Sequence, residues 1–284
     1  MTSWYNETLH AHWGQRFSVD KIIFEEKTEH FDLMIFENRQ FGRVMALDGA
    51  IQTTEADEFV YHEMLTHVPL FAHGNAKKVL IVGGGDGGIL REVCKHPVNN
   101  ATMVEIDPAV IELSKQYFPK HSNGAFNDPR LKLVIQDAAV FMAEDKELYD
   151  VIIVDSTDPE GPAAVLFSEE FYKNCFNRLA PGGILVNQNG VPFLQPVELT
   201  TTYKRLSGIF KDVSFYTAAV PTYAGGLMTL GWASNNPELR NIPLATLQQR
   251  FANSQIQTNY YTPACHQASF ALPAFILRLM NKSI

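Results

Sequence analysis

An α/β fold is predicted: a parallel, doubly wound sheet covered on both faces, preceded by a small β-rich unit. Three features predict it. Apolar runs of strand length alternate with helical patterns from residue 78 onward. The runs are apolar nearly throughout, as in strands buried on both faces. The first is followed at once by a glycine loop, Gly83-Gly84-Gly85-Asp86-Gly87-Gly88, and then by a helical pattern.

The elements follow in order. Segments 17–27, 31–37 and 42–47 are short and apolar-rich, and Asp48-Gly49 before 50–54 is a strong hairpin signal. Thr54 followed by Asp57 resembles a capping box, opening a helix that runs to about Leu70. The polar stretch 73–77 divides the chain into a β-rich N-terminal unit with a linking helix, 1–72, and a strand–helix alternating unit, 73–284. Strands are then expected at 78–83, 101–107, 131–137, 149–155 and 183–188, with two adjacent late strands at 212–220 and 226–233. In such sheets ligands sit beyond the carboxyl ends of the strands. Asp86, Glu105, Asp137, Asp155 and Gln188 all fall there.

Composition narrows the class. Of 284 residues, 46% are hydrophobic and 19% charged, enough to build a core and too apolar for a disordered chain. No apolar run reaches membrane-spanning length, and the first residues lack a signal-peptide pattern. Cys94, Cys175 and Cys265 are too few and scattered for a disulfide framework or a zinc site, so a cytoplasmic setting is expected. With 23 Lys+Arg against 31 Asp+Glu, the net charge of -8 disfavours nucleic acid and anionic membranes as partners and permits a cationic small molecule.

The glycine loop satisfies G-x-G-x-x-G between strand and helix, and Glu105 ends the next strand about 20 residues on, where an acid grips a ribose. A nucleoside ligand follows. NAD and S-adenosylmethionine-type ligands both use this layout. The turn LAPGG (179–183) before a strand favours the second, in a methyltransferase-like Rossmann fold, where Asp137-Ala138 would meet the adenine. Asp137 is equally suited to cap the next helix. Asp86 departs from an ordinary methyltransferase: a carboxylate beside the ligand's amino-acid tail repels a carboxylate and attracts an amine, favouring a decarboxylated ligand. The run Asp155-Ser156-Thr157-Asp158-Pro159-Glu160-Gly161-Pro162 offers two carboxylates to one cavity, suited to an alkylammonium group, on a loop shaped to close over it.

These stretches resemble the polyamine aminopropyltransferases, specifically bacterial spermidine synthases. The likeness extends through 47–70, 79–93, 103–107, 150–163, 171–190, 221–226 and 270–273, in the family's order. It implies transfer of an aminopropyl group from decarboxylated S-adenosylmethionine to putrescine, yielding spermidine and 5'-methylthioadenosine. It implies a homodimer or homotetramer, and no metal or redox cofactor, the nucleoside donor being a co-substrate. By position, Glu105 binds the ribose, Asp137 and Ala138 the adenine, and Gln52 and Pro162 line the nucleoside site. Asp86 and Asp155 hold the aminopropyl region, with Asp155 the catalytic group. Tyr61, His62, Ser156, Thr157, Asp158, Gln188 and Tyr223 shape the amine slot, with Trp13 as an apolar wall. Two positions depart from the pattern: Phe31 replaces a usual glutamine, and Ala138 a usual glycine.

An alkylamine arrives protonated, with a pKa of ~10.4 against ~3.9 for an ordinary Asp, which sets about 9 kcal/mol against direct proton transfer. Orientation, desolvation of the amine or a relay through Tyr61 or water is therefore expected of Asp155. Glu7 or Glu63, or a water held by Asp158 and Gln188, is expected to meet the distal ammonium. The competing readings are an amine N-methyltransferase, an NAD-dependent oxidoreductase, a non-catalytic polyamine sensor, and an aminopropyltransferase acting on cadaverine, agmatine or spermidine.

Overall fold

Residues 3–28, 32–159 and 161–281 are described by a computed structural model. Phe31, Glu160 and the side chain of Pro162 lie outside the described residues. The chain opens with the antiparallel pair β1 (Ser3–Asn6) and β2 (Arg16–Val19). A four-stranded antiparallel meander follows: β3 (Lys21–Lys27), β4 (Asp32–Asn38), β5 (Gly42–Leu47) and β6 (Ala50–Thr54). The run expected as one strand at 17–27 is thus broken at Asp20 into strands of two different sheets. The Asp48-Gly49 hairpin forms as expected. Leu47 pairs with Ala50, and both turn residues take positive φ, 51° and 84°, the conformation that Asp and Gly tolerate in a two-residue hairpin. Phe17, Phe36, Val44, Ala46 and Ile51 form this unit's core.

Helix α1 (Glu58–His73) is buried from Val60 to Ala72 and packs on the large sheet. It ends at Gly74, whose φ of 78° lets its N–H return to the Leu70 carbonyl. The expected capping box does not form. Asp57 occupies the cap position but gives no side-chain cap. Its carboxylate instead accepts from Thr54 Oγ1 at 2.6 Å and from the backbone N–H and hydroxyl of Thr222 at 2.9 and 2.7 Å. The helix start is thereby tied to the segment carrying Tyr223.

Then come β7 (Lys78–Gly83), α2 (Gly88–Cys94), β8 (Asn100–Glu105), α3 (Pro108–Tyr117), α4 (Pro119–Ser122), β9 (Leu131–Ile135), α5 (Ala138–Glu144) and β10 (Tyr149–Asp155). After them come α6 (Glu169–Arg178), β11 (Leu179–Gln188), α7 (Pro196–Ser207), β12 (Asp212–Ala218) and β13 (Met228–Ser234). Helices α8 (Leu244–Ser254), α9 (Pro263–Ser269) and α10 (Ala274–Leu279) close the described chain. The seven strands lie in the order β12-β13-β11-β10-β7-β8-β9. The sheet is mixed rather than wholly parallel, because β13 runs antiparallel to both β11 and β12. Residues 219–227 are too few for the dozen or so that a parallel crossover needs, so the chain must turn back.

Alternate residues of each central strand feed two cores. Val79, Ile81, Val151, Ile153, Ile184 and Val186 meet Met64, Leu65 and Val68 of α1. Leu80, Val82, Ile152, Val154 and Leu185 meet Phe171, Tyr172 and Cys175 of α6. Both faces are covered, which is why these runs lack polar alternation. The strand order reverses between β7 and β10, and such a switch point opens a crevice at the carboxyl ends. Asp155 lies there, in register with Gly83. Among the described residues, no helix is long and apolar enough to cross a membrane.

Candidate active site

A cavity of about 790 Å³ occupies that crevice, between the carboxyl ends of the large sheet and the open end of the N-terminal meander. Gln52, Tyr61, His62, Asp86, Glu105, Asp137, Ala138, Asp155, Ser156, Thr157, Asp158, Gln188 and Tyr223 all line it. Trp13 does not: it is 46% exposed beside the His10 ring, outside the lining. It pairs with His10, which does line the cavity, and its role as an apolar wall is a proposal.

The glycine loop brings backbone and carboxylates close. Gly83 (φ 77°), Gly84 (70°) and Gly87 (78°) adopt left-handed conformations that a side chain would strain. A Cβ on Gly88 would lie 2.2 Å from the His62 ring. Gly88→Ala is therefore expected to push the imidazole off Asp86, lowering both melting temperature and turnover. Gly208→Ala, whose Cβ meets nothing nearer than 3.5 Å, is the neutral control. Equal effects from the two substitutions would contradict this role for Gly88.

Glu105 is buried, and its Oε1 accepts from the backbone N–H of Ile106 and Asp107 at 2.8 and 3.1 Å. Burial raises its carboxyl above the ordinary value despite these bonds. Asp137 caps α5 through Oδ1, accepting from Ala139 N at 2.7 Å and Val140 N at 3.3 Å. Its cap bonds leave Oδ2 unused, so the capping and ligand-facing readings are compatible.

At the other end two carboxylates converge. Asp86 accepts from Gly88 N at 2.8 Å and faces His62 Nε2 at 3.2 Å. Asp155 Oδ1 accepts from the Tyr61 hydroxyl at 2.5 Å. Polar atoms of His62, Asp86 and Asp155 all lie within 4.8 Å of one another, a spacing that gathers a cation. His62 already uses both nitrogens, one toward Asp86 and one toward Glu58, which leaves no lone pair for a metal and suits the cluster to an organic ammonium.

The two acids are tuned apart. Burial works to raise Asp86, but His62 outweighs it and holds the carboxyl well below the usual range. Burial and the Asp86 charge push Asp155 up to about 6. Burial, reinforced by Asp155, lifts the Tyr61 and Tyr223 phenols well above their ordinary value, so both stay neutral donors. Pairs of groups pushed in opposite directions mark sites of proton chemistry.

Asp158 is held by Gln188 Nε2 at 2.9 Å and Gln195 Nε2 at 2.8 Å. Tyr223 donates to the Gln52 carbonyl at 2.7 Å and meets Tyr61 edge to face. Of the acids expected near a distal ammonium, Glu7 lines the cavity. Glu63 does not: its carboxylate accepts from the backbone N–H groups of Asn259, Tyr260 and Tyr261, which makes it a structural clamp. Reading the sequence missed Glu58, Arg91 and Gln195. The four-residue spacing of Glu58 and His62 on one helix was the available signal. Arg91 and Gln195 join the site only through the tertiary fold.

Comparison with known proteins agrees with this geometry. Residues 58–242 match the spermine/spermidine synthase domain, and residues 3–55 the spermidine synthase tetramerisation domain. A polyamine aminopropyltransferase of Pectobacterium carotovorum is 58% identical over 281 residues, covering 99% of this chain and 98% of that one. Polyamine aminopropyltransferase 1 of Pseudomonas aeruginosa is 58% identical, covering 98% of each. A spermidine synthase solved in complex with the transition state analogue AdoDATO superposes with a TM-score of 0.92 at 38% identity, over 98% of this chain and 95% of that one. The spermidine synthase of Thermotoga maritima gives 0.89 at 37%, over 99% and 95%. The chain belongs to the spermidine synthase family of polyamine aminopropyltransferases and is a transferase of that type.

Proposed function

We propose that the chain transfers the aminopropyl group of decarboxylated S-adenosylmethionine to putrescine, giving spermidine and 5'-methylthioadenosine. The observation that carries this reading is the convergence of two half-buried carboxylates in the crevice, Asp86 against His62 and Asp155 against the Tyr61 hydroxyl, with polar atoms of the cluster within 4.8 Å of one another. The likeness to a spermidine synthase that holds AdoDATO supports it. A fixed anion at Asp86 attracts the bare aminopropyl ammonium and repels the carboxylate of ordinary S-adenosylmethionine. Glu105 takes the ribose hydroxyls and Asp137 the adenine amino group, with Ala138 and Gln52 beside them. His62, Ser156, Thr157, Asp158, Gln188 and Tyr223 border the amine. Pro162 keeps its proposed place in the nucleoside wall. The assembly proposed is a homodimer or homotetramer, supported by the match of residues 3–55 to a tetramerisation domain.

The reaction joins the amine nitrogen to the carbon next to the sulfonium and breaks the carbon–sulfur bond, releasing a neutral thioether. The amine, arriving as an ammonium, loses one proton overall, which passes to solvent water. With Asp155 near about 6, the gap to an alkylamine at ~10.4 is ~4.4 units, about 6 kcal/mol at 1.36 kcal/mol per unit. This is smaller than for an ordinary aspartate and still too large for direct transfer to the carboxylate alone. Asp155 therefore orients the amine and stabilises the charge that develops on it, while desolvation lowers the amine's own pKa. Tyr61 stays protonated, so it fixes the carboxylate and accepts no proton.

The sign of the pH dependence follows. Asp155 must be ionised to act, and its pKa is raised, so activity falls as pH drops through about 6. Release of methylthioadenosine, measured against pH with the decarboxylated donor and putrescine, should show this limb in kcat/KM. In kcat the limb should lie lower, because a bound cation favours the ionised acid. Absence of methylthioadenosine at every pH would sink the proposed reaction.

A further inference from the structure

Beneath the cavity runs a row of charges that the expected site residues do not explain. His62 faces Glu58 with Nδ1 and Asp86 Oδ2 with Nε2. Glu58 in turn receives two parallel bonds from the Arg91 guanidinium, at 3.0 and 2.9 Å. The third side of that guanidinium, Nε, donates to Glu92 Oε1 at 2.7 Å, and Lys95 Nζ lies 2.7 Å from Glu92 Oε2. Arg91 is further anchored to the carbonyls of Lys120 and His121 at 3.1 and 2.7 Å. From the cavity to the partly exposed Lys95 the signs alternate: Asp86, His62, Glu58, Arg91, Glu92, Lys95.

This row sets the protonation of His62 by geometry. A neutral imidazole has one N–H and one lone pair. Here both ring nitrogens face carboxylate oxygens, so a lone pair on either side would meet another anion. Only the doubly protonated ring satisfies both. Its other neighbours do not alter this. Tyr61 stays a neutral phenol, and the acid at Asp155 adds negative charge from β10. His121, 6.0 Å away from α4, is pushed by burial toward its neutral form and meets Thr53 Oγ1 at 2.9 Å. Arg91 shares Glu58 Oε2 with the ring and is neutralised by the carboxylate that lies between the two cations.

We propose that Glu58, clamped by Arg91, is a positioning residue that keeps His62 a doubly protonated cation against Asp86, so that Asp155 is the one acid of the cluster left without a cation of its own. The inference rests on the aminopropyl-transfer reading for its consequence in catalysis, but not for its protonation claim. Paired to His62, Asp86 remains a fixed anion for the donor's tail. Among the described residues the side-chain hydrogen bond to Asp155 comes from the neutral Tyr61 hydroxyl, so its carboxylate answers to the incoming amine. Without Glu58, His62 would share a single proton with two acids. Asp86 and Asp155 would then compete for protons as like-charged neighbours do.

The test begins with the substrate-free full chain. Side-chain nitrogen-15 spectra between about pH 6 and 9 report both ring nitrogens of each histidine, with His62→Gln assigning the His62 signal among the nine histidines. His62 should be doubly protonated throughout in the parent chain and should lose a proton within that range in Glu58→Gln. In the transferase assay Glu58→Gln should lower kcat about tenfold, with a smaller change in KM for the amine, and should move the acid limb upward. Glu58→Asp, which keeps the charge, should recover part of both. A parent His62 that titrates like an ordinary imidazole would overturn the proposal, as would a Glu58→Gln chain whose His62 stays cationic. If Glu58→Gln does not fold, the parent spectrum decides alone. A cationic His62 in a chain that makes no methylthioadenosine would refute the proposed reaction and leave the role of Glu58 standing.

Discussion

Asp155→Asn is expected to lower kcat by about 10²- to 10³-fold, the range for loss of a preorganised electrostatic stabiliser. The substitution is nearly isosteric. Tyr61 can still donate to the remaining amide oxygen at the place where it now meets Oδ1. What disappears is the negative charge that orients the amine and balances its developing ammonium. Folding should survive, because removing a half-buried acid lifted to about 6 also relieves its desolvation cost. The check is a full kinetic profile beside a melting curve. The activity limb near pH 6 should vanish along with the turnover. A variant with turnover within about threefold of the parent would remove Asp155 from the chemistry.

Asp86→Asn is expected to act on the donor. Its carboxylate is the half-buried anion at the glycine loop, fixed by Gly88 N and His62. Truncating one member of a desolvated, hydrogen-bonded charge pair costs roughly 2–5 kcal/mol, so kcat/KM for the decarboxylated donor should fall by about 30-fold or more. The preference over ordinary S-adenosylmethionine should shrink at the same time, because the repelling charge is gone. A second consequence separates this from general damage. The Asp86 charge is one of the two leading causes that raise Asp155, so the acid limb of any residual activity should move to lower pH. Unchanged donor preference measured by competition between the two nucleosides would contradict the assignment.

Much of this architecture is legible from local residues. The strands at 78–83 and 149–155 fall on the residues expected, because an apolar run ended by Gly or Asp has few alternatives. Once the strands are placed, the carboxyl-end rule gathers Asp86, Glu105, Asp137 and Asp155 into one crevice, and the cavity lining contains all four. What escaped depends on tertiary paths. Glu63 follows His62 in sequence, yet helical rotation turns it toward the backbone at 259–261. The reversed β13 is betrayed only by the length of its connection. Arg91 is 33 positions from Glu58, and no local pattern pairs them.

The most direct measurement incubates the purified chain with putrescine and either decarboxylated or ordinary S-adenosylmethionine, with products resolved by mass spectrometry. The account predicts spermidine and methylthioadenosine from the decarboxylated donor alone. Methylated putrescine with S-adenosylhomocysteine from the ordinary donor would contradict it, because the anion at Asp86 would then have failed to exclude the very carboxylate it is held to repel.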